Sequence, residues 1–337
     1  MPLTNLTYML DVSLFGPGPA GHHAVNVAWH ALNAALFWTL LRRCFRADAP
    51  GAHASAEWAC FAAAAFWALH PLRAEAVCWI AARKELAWTC FALLGMLAWL
   101  RGRRVCALMC CACACMGKPT AVCFPLLVLA LDSTREPACV RRRWAWYAPL
   151  FAMAAATGML ATYSQTHAEG FAVRGLFEAD LGWRLLNAAV ATGLYVSQTF
   201  FPAGIHADYR ALPGAFPAHG ALGLAALALT VAAVAFFAKK STSRREILAV
   251  AFAGLAALAP TLGVFGSFGE SARADRFFYA PGMAISFAFA RGLLVLASRL
   301  RAPARFFAGA YVSAIALAFA AFATPNAAQA DGAIVDI

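Results

Sequence analysis

The stretch WALHPLRAEAVCWIAARKELAW, residues 67–88, sets His70, Arg73, Glu75, Arg83, Lys84 and Glu85 at the junction of two apolar runs, 57–71 and 86–100. An apolar run that stops at a proline and a group of charges and then resumes reads as two helices crossing hydrocarbon and turning at its surface, because a lipid-exposed backbone satisfies its own polar groups only as a helix or a closed barrel. Runs this rich in Ala and Leu favour the helix.

The rest of the chain repeats the pattern. Of 337 residues 63% are hydrophobic and only 13% charged, and the mean hydropathy is +0.67, far from a soluble domain. Apolar spans fall at about 24–41, 57–71, 86–100, 105–116, 119–131, 144–163, 219–238, 247–266, 277–298 and 306–323. The fold expected is an all-α, polytopic transmembrane bundle of about ten spans. Gly117-Lys118-Pro119 separates the fourth and fifth as a hairpin, since one long helix would bury a lysine and a helix breaker at mid-membrane. The segment 183–201 is apolar but carries Arg184, Asn187, Tyr195 and Gln198, so it reads as an interfacial or re-entrant helix.

The net charge of +11 does not indicate nucleic acid. The bases gather between hydrophobic runs: Arg42, Arg43, Arg101, Arg103, Arg104, Arg135, Arg143, Lys239, Lys240, Arg244, Arg245 and Arg299 all follow odd-numbered spans. By the positive-inside rule those loops are cytoplasmic, and both ends of the sequence face outward. The eleven cysteines lie mostly inside apolar runs, as small packing residues. No cleavable signal segment is visible at residues 1–23, which read as the end of an outer loop.

This topology puts the corner at 67–88 on the outer face. His70 and Glu75 are candidates for a divalent metal or donor contact, with Arg73, Arg83 or Lys84 meeting phosphate. The structural alternative is a His70 helix cap, snorkelling bases and Trp79 as an interface anchor.

Five ordered stretches, PLTNLTYMLDVSLFG, LHPLRAEAVCWIAARKEL, GKPTAVCFPLLVLALD, FFPAGIHADYR and ESARADRFFYAP, resemble the bacterial relatives of the transmembrane and tetratricopeptide-repeat O-mannosyltransferases. These are GT-C glycosyltransferases. The resemblance spans residues 2–325 and implies transfer of a hexose from a polyprenyl phosphate to a protein hydroxyl on the non-cytoplasmic face. It implies this division: 1–23, an outer loop; 24–163, a six-span core; 164–218, an outer loop with an amphipathic helix; 219–323, four spans; 324–337, a short outer tail. Glu75 and Asp11 become catalytic candidates. Donor phosphate would meet Arg276, Tyr279, Arg73, Arg83, Lys84 and Lys118, with Asp275, His206 and Asp208 nearby. For Lys118 the alternative is plain surface exposure; for Asp275, Arg276 and Tyr279 it is a membrane-interface anchor.

The chain departs from the family pattern. Met1-Pro2-Leu3-Thr4 stands where Arg-Pro-Leu-Thr is usual, and the first span, its acidic loop and the C-terminal repeats have no counterpart in this sequence. Arg73 replaces a second histidine and Asp11 an asparagine. A non-catalytic membrane protein, either a transporter or an inactive remnant, is the competing expectation.

Overall fold

The computed structural model describes residues 1–45, 50–135, 142–167, 180–202, 205, 209–210, 217–241, 243–264, 271–300 and 309. His206, Asp208, the tail 324–337, the expected span 306–323 apart from residue 309, and much of the 164–218 loop lie outside them.

Among the described residues the chain is all-α, with twelve helices. They are α1 (Pro2–Phe15), α2 (Pro19–Cys44), α3 (Pro50–Leu69), α4 (Ala74–Cys78), α5 (Arg83–Leu100), α6 (Arg104–Gly117), α7 (Phe124–Arg135), α8 (Trp144–His167), α9 (Leu181–Phe200), α10 (Pro217–Lys240), α11 (Arg244–Leu258) and α12 (Gly282–Leu300). Strand pairing is confined to Tyr209–Arg210 against Ser271–Arg273, antiparallel. Proline opens α1 and α2, where its missing N–H has no helical partner to lose. Gly102, at φ +76°, makes the left-handed turn that folds α6 back on α5.

Among the described residues three segments are long and apolar enough to cross a membrane: Pro19–Cys44, Gly220–Lys240 and Gly282–Leu300. Helix α5 has the length, but its first turn carries Arg83, Lys84 and Glu85. Helices α6, α7 and α11 have 14, 12 and 15 residues. Two boundaries differ from expectation. Helix α11 ends at Leu258, not near 266, because Pro260 disfavours continuation, and a 3₁₀ turn follows at Ala259–Thr261. Helix α12 begins at Gly282, not 277, with Asp275–Phe278 forming a separate 3₁₀ turn.

Of the four packed clusters among the described residues, two are large. Phe37, Leu41, Trp67, Leu86, Leu97 and Tyr279 join α2, α3 and α5 to the start of α12. Trp88, Trp99, Cys111, Phe124, Tyr147 and Leu150 join α5 to α6, α7 and α8. Between lipid-facing helices close packing matters more than expulsion of water. At the crossing of α9 and α10 a Cβ on Gly193 would lie 1.8 Å from the Gly223 carbonyl oxygen, so only glycine lets these backbones meet.

Polar groups collect at the two ends of the bundle. At one end Asp132 accepts from Trp99 (2.9 Å), Tyr147 (2.7 Å) and Arg143 (2.7 Å), Arg42 pairs with Glu57 (2.6 Å), and Arg291 meets Glu246 (3.3 Å). At the other end are His22, His70, Arg83, Lys118 and Arg276. Helices α2, α3 and α5 each run between the two groups. Arg291, inside α12, pairs with Glu246 near the start of α11.

Candidate functional site

The corner 67–88 folds into two short 3₁₀ turns around α4 and draws α1, α2, α5, α9 and the 273–279 segment into a charged collar. His70 ends α3 as a cap. The Leu72 N–H donates to its Nδ1 (3.2 Å), which fixes the proton on Nε2, and Nε2 donates to the Thr199 carbonyl (3.0 Å). Burial, helped by the Arg73 charge and opposed by the Thr199 bond, pushes the His70 pKa down to about 4. The imidazole is held neutral.

Arg73 is buried, and its guanidinium donates to the carbonyls of Phe278 and Tyr279 (2.7 Å to Tyr279). Burial lowers its pKa to about 10 against the opposing influence of Tyr279 and Asp275. A Cβ on Gly282 would sit 2.7 Å from that guanidinium, so glycine at the start of α12 makes room for the arginine. Tyr279 is fully buried, its hydroxyl 2.8 Å from His30 Nδ1 and accepting from Asn33 (3.1 Å). Arg73 and Tyr279 thus tie α12 to the corner, and neither presents its polar group at the surface.

Glu75 meets Arg276 through two contacts: the Arg276 backbone N–H donates to Oε2 (2.7 Å) and its guanidinium to Oε1. The guanidinium lies over Trp79 (4.7 Å to the ring centre) and Phe277 (4.8 Å), the close stacking arginine favours. Lys118, a phosphate candidate at the hairpin tip with surface exposure as its alternative, is buried and paired with Glu85, whose other oxygen accepts from Trp88 (2.9 Å). Burial lowers the Lys118 pKa, with Glu85 opposing and Arg276 adding to the shift. Lys84 makes no ion pair among the described residues and lies 6.0 Å from the Trp79 ring centre. Its pKa is lowered by burial and by the charges of Lys118 and Arg276, with Glu85 opposing. Three cations therefore crowd one another around Trp79 and Phe277, while the two nearest carboxylates are already engaged.

On the far side of the same α5 turn, Arg83 is fully buried and holds Asp11 of α1, Asn26 Oδ1 (2.7 Å) and the His22 carbonyl (2.9 Å). Its guanidinium lies 4.6 Å from the Tyr8 ring centre. His22 Nδ1 is 2.8 Å from Asp11 Oδ2. Asn26 also donates to the carbonyl of Trp79 (3.4 Å), linking this network to the cation group. The structure thus unites Asp11 with Arg83 and gathers Glu75, Lys84, Lys118 and Arg276 around Trp79 and Phe277, Lys118 lying 5.0 Å from the Phe277 ring centre. Asp275 is buried beside the second group.

His22, Asn26 and Trp79 were not among the site residues expected. The signal for α2 was present in its sequence, because Asn26, His30 and Asn33 recur at helical spacing inside an apolar run and all three face protein partners.

The donor set does not suit a divalent cation at His70 and Glu75. Both ring nitrogens of His70 are engaged with backbone, and both Glu75 oxygens with Arg276. Among the described residues no three His, Cys, Asp or Glu side chains group as metal ligands.

Beneath the collar an apolar cavity of about 120 Å³ opens between α2, α5, α7, α11 and α12, running from Trp88 and Pro281 to Cys44 and Thr134. No protein family, curated protein or solved structure matches the chain.

Proposed function

We propose that the chain is a multi-pass protein of a bacterial inner membrane, with about ten spans and α9 lying at the outer surface, and that its collar faces the non-cytoplasmic side. There it binds a polyprenyl-phosphate sugar and passes the hexose to a hydroxyl of a protein acceptor. The observation that carries the reading is the group of Lys84, Lys118 and Arg276 beside Trp79 and Phe277, in which Glu85 and Glu75 hold two of the three cations and Lys84 has no ion pair among the described residues. Burial, with neighbouring cations adding to it, lowers the pKa of Lys84 and Lys118; a bound anion stabilises their charged forms, and a phosphate offers several acceptor oxygens at once. The apolar cavity that begins at Trp88 supplies room for hydrocarbon beside it. Helix α9 supports the surface placement: Arg184 donates to the Val264 carbonyl (3.2 Å) and Tyr195 to that of Ala274 (2.8 Å), so both halves meet the segment between α11 and α12.

The competing reading, a membrane protein that binds without catalysing, draws on one observation. Glu75 and Glu85 both hold cations, so neither is available as a base.

Binding of a polyprenyl monophosphate to the detergent-solubilised protein tests the proposal. Arg276→Lys keeps charge but not the planar fork, and the loss of a charge-assisted contact is worth about 1.5 to 3 kcal/mol. Lys84→Ala, which breaks no ion pair, should weaken binding comparably and leave thermal unfolding unchanged. Unaltered binding in both variants removes the cation group from the site. Loss of thermal stability without loss of binding makes Arg276 an anchor.

A further inference from the structure

We propose that His22, oriented by Asp11, takes the proton from the acceptor hydroxyl. The inference rests on the glycosyl-transfer reading and supplies the base that reading lacks. Of the two carboxylates expected to act, Glu75 is engaged by Arg276, and Asp11 is sealed from solvent by Arg83 and His22. The contact between Asp11 and His22 fixes the chemistry of the ring. A carboxylate only accepts, so the neutral imidazole carries its proton on Nδ1, 2.8 Å from Asp11 Oδ2, and keeps a lone pair on Nε2. Nε2 has no hydrogen-bond partner among the described residues and is not among the sealed, unsatisfied polar atoms. A base oriented by a carboxylate, with its second nitrogen accessible, is the arrangement that removes a proton from a hydroxyl.

Its position fits. Arg83, Lys84 and Glu85 are consecutive and leave α5 about 100° apart; Arg83 reaches the His22 network, and Lys84 and Glu85 reach the cation group. Trp79 joins the two: its carbonyl accepts from Asn26, and its ring lies against Arg276 and Lys84. That ring, 45% exposed, is a flat apolar surface for a sugar between a phosphate on one side and His22 on the other.

In the step, the acceptor oxygen bonds to the anomeric carbon as the bond from that carbon to the phosphate oxygen breaks. The electron pair leaves with polyprenyl phosphate, stabilised by Lys84 and Arg276. The hydroxyl proton moves to His22 Nε2 and then to water, and Asp11 balances the imidazolium.

The test uses the full chain, polyprenyl-phosphate mannose or glucose, and a Ser/Thr peptide. Removing a general base typically costs about 10²- to 10⁴-fold in rate, so His22→Gln should lose transfer by that factor while still binding polyprenyl monophosphate. Asp11→Asn should retain part of the activity. The groups facing His22 are Asp11 and Tyr8 of α1 and Arg83 of α5. Parental transfer by His22→Gln overturns the assignment and leaves the glycosyltransferase reading standing. A protein that binds the lipid phosphate but never transfers sugar overturns the assignment and keeps the binding reading. One that does neither overturns both. Should His22→Gln fail to fold, parental transfer by His22→Asn overturns the assignment by itself.

Discussion

His70 shows how a single residue can be placed in sequence and still have its role decided by geometry. A histidine before Pro71 at the end of an apolar run was open to two uses, ligand or cap, and only the Leu72 and Thr199 contacts distinguish them. The consequence is a pH dependence with a definite sign. The unfolded side chain titrates near 6.5, and in the fold it is held at about 4, so between these values the unfolded state binds more protons. Stability is then fully present above about pH 6.5 and is lost as pH falls toward 4, by on the order of 3 kcal/mol for this group. Thermal unfolding in detergent should show that acid loss in the parent and a flatter profile in His70→Asn. Lys118 teaches the converse. Gly117-Lys118-Pro119 revealed the turn, but nothing local revealed that Glu85, 33 residues away, neutralises the lysine in the interior.

At the scale of elements, helix existence was legible wherever an apolar run was long, because lipid leaves the backbone few alternatives. Helix α1 was missed for a physical reason: its polarity is inverted. Thr4 donates to the Gly117 carbonyl (2.9 Å), Tyr8 to that of Ile80 (2.7 Å), and Asp11 meets Arg83, so the polar side faces protein. Leu6, Met9, Leu10, Leu14 and Phe15 face outward. Without its partners such a segment reads as loop, because the usual rule of apolar residues facing inward fails. The α9–α10 crossing was equally hidden, since nothing in sequence pairs Gly193 with Gly223. It gives a sharp expectation. Gly193→Ala places a methyl group into a backbone carbonyl that cannot rotate away, and overpacking of this kind costs about 1 to 3 kcal/mol. Gly158→Ala, with nothing within 4 Å of its Cβ position, should be neutral or mildly stabilising by helix propensity. Equal thermal shifts in the two variants contradict the crossing.

For the whole molecule, the distribution of charge carries the orientation, and the same distribution makes it testable. The end holding Asp132, Arg143, Arg42, Glu246 and Arg291 is also the end where Lys239, Lys240, Arg244 and Arg245 connect α10 to α11. Basic loops resist translocation, so the proposed orientation puts that end in the cytoplasm and the collar on the opposite side. The collar is of nearly balanced charge, with Glu75, Glu85 and Asp11 each holding a base, and this weakens any orientation signal from its own bases. A reporter active only outside the cytoplasm should therefore give signal when fused after Ser267, in the segment between α11 and α12, and stay silent when fused after Ser241. If α9 crossed the membrane instead of lying at its surface, every later connection would change sides and both results would invert. The fusions thus decide together the placement of α9, the side to which Lys84, Lys118 and Arg276 belong, and whether the proposed lipid-linked sugar, presented outside the cytoplasm, could reach His22.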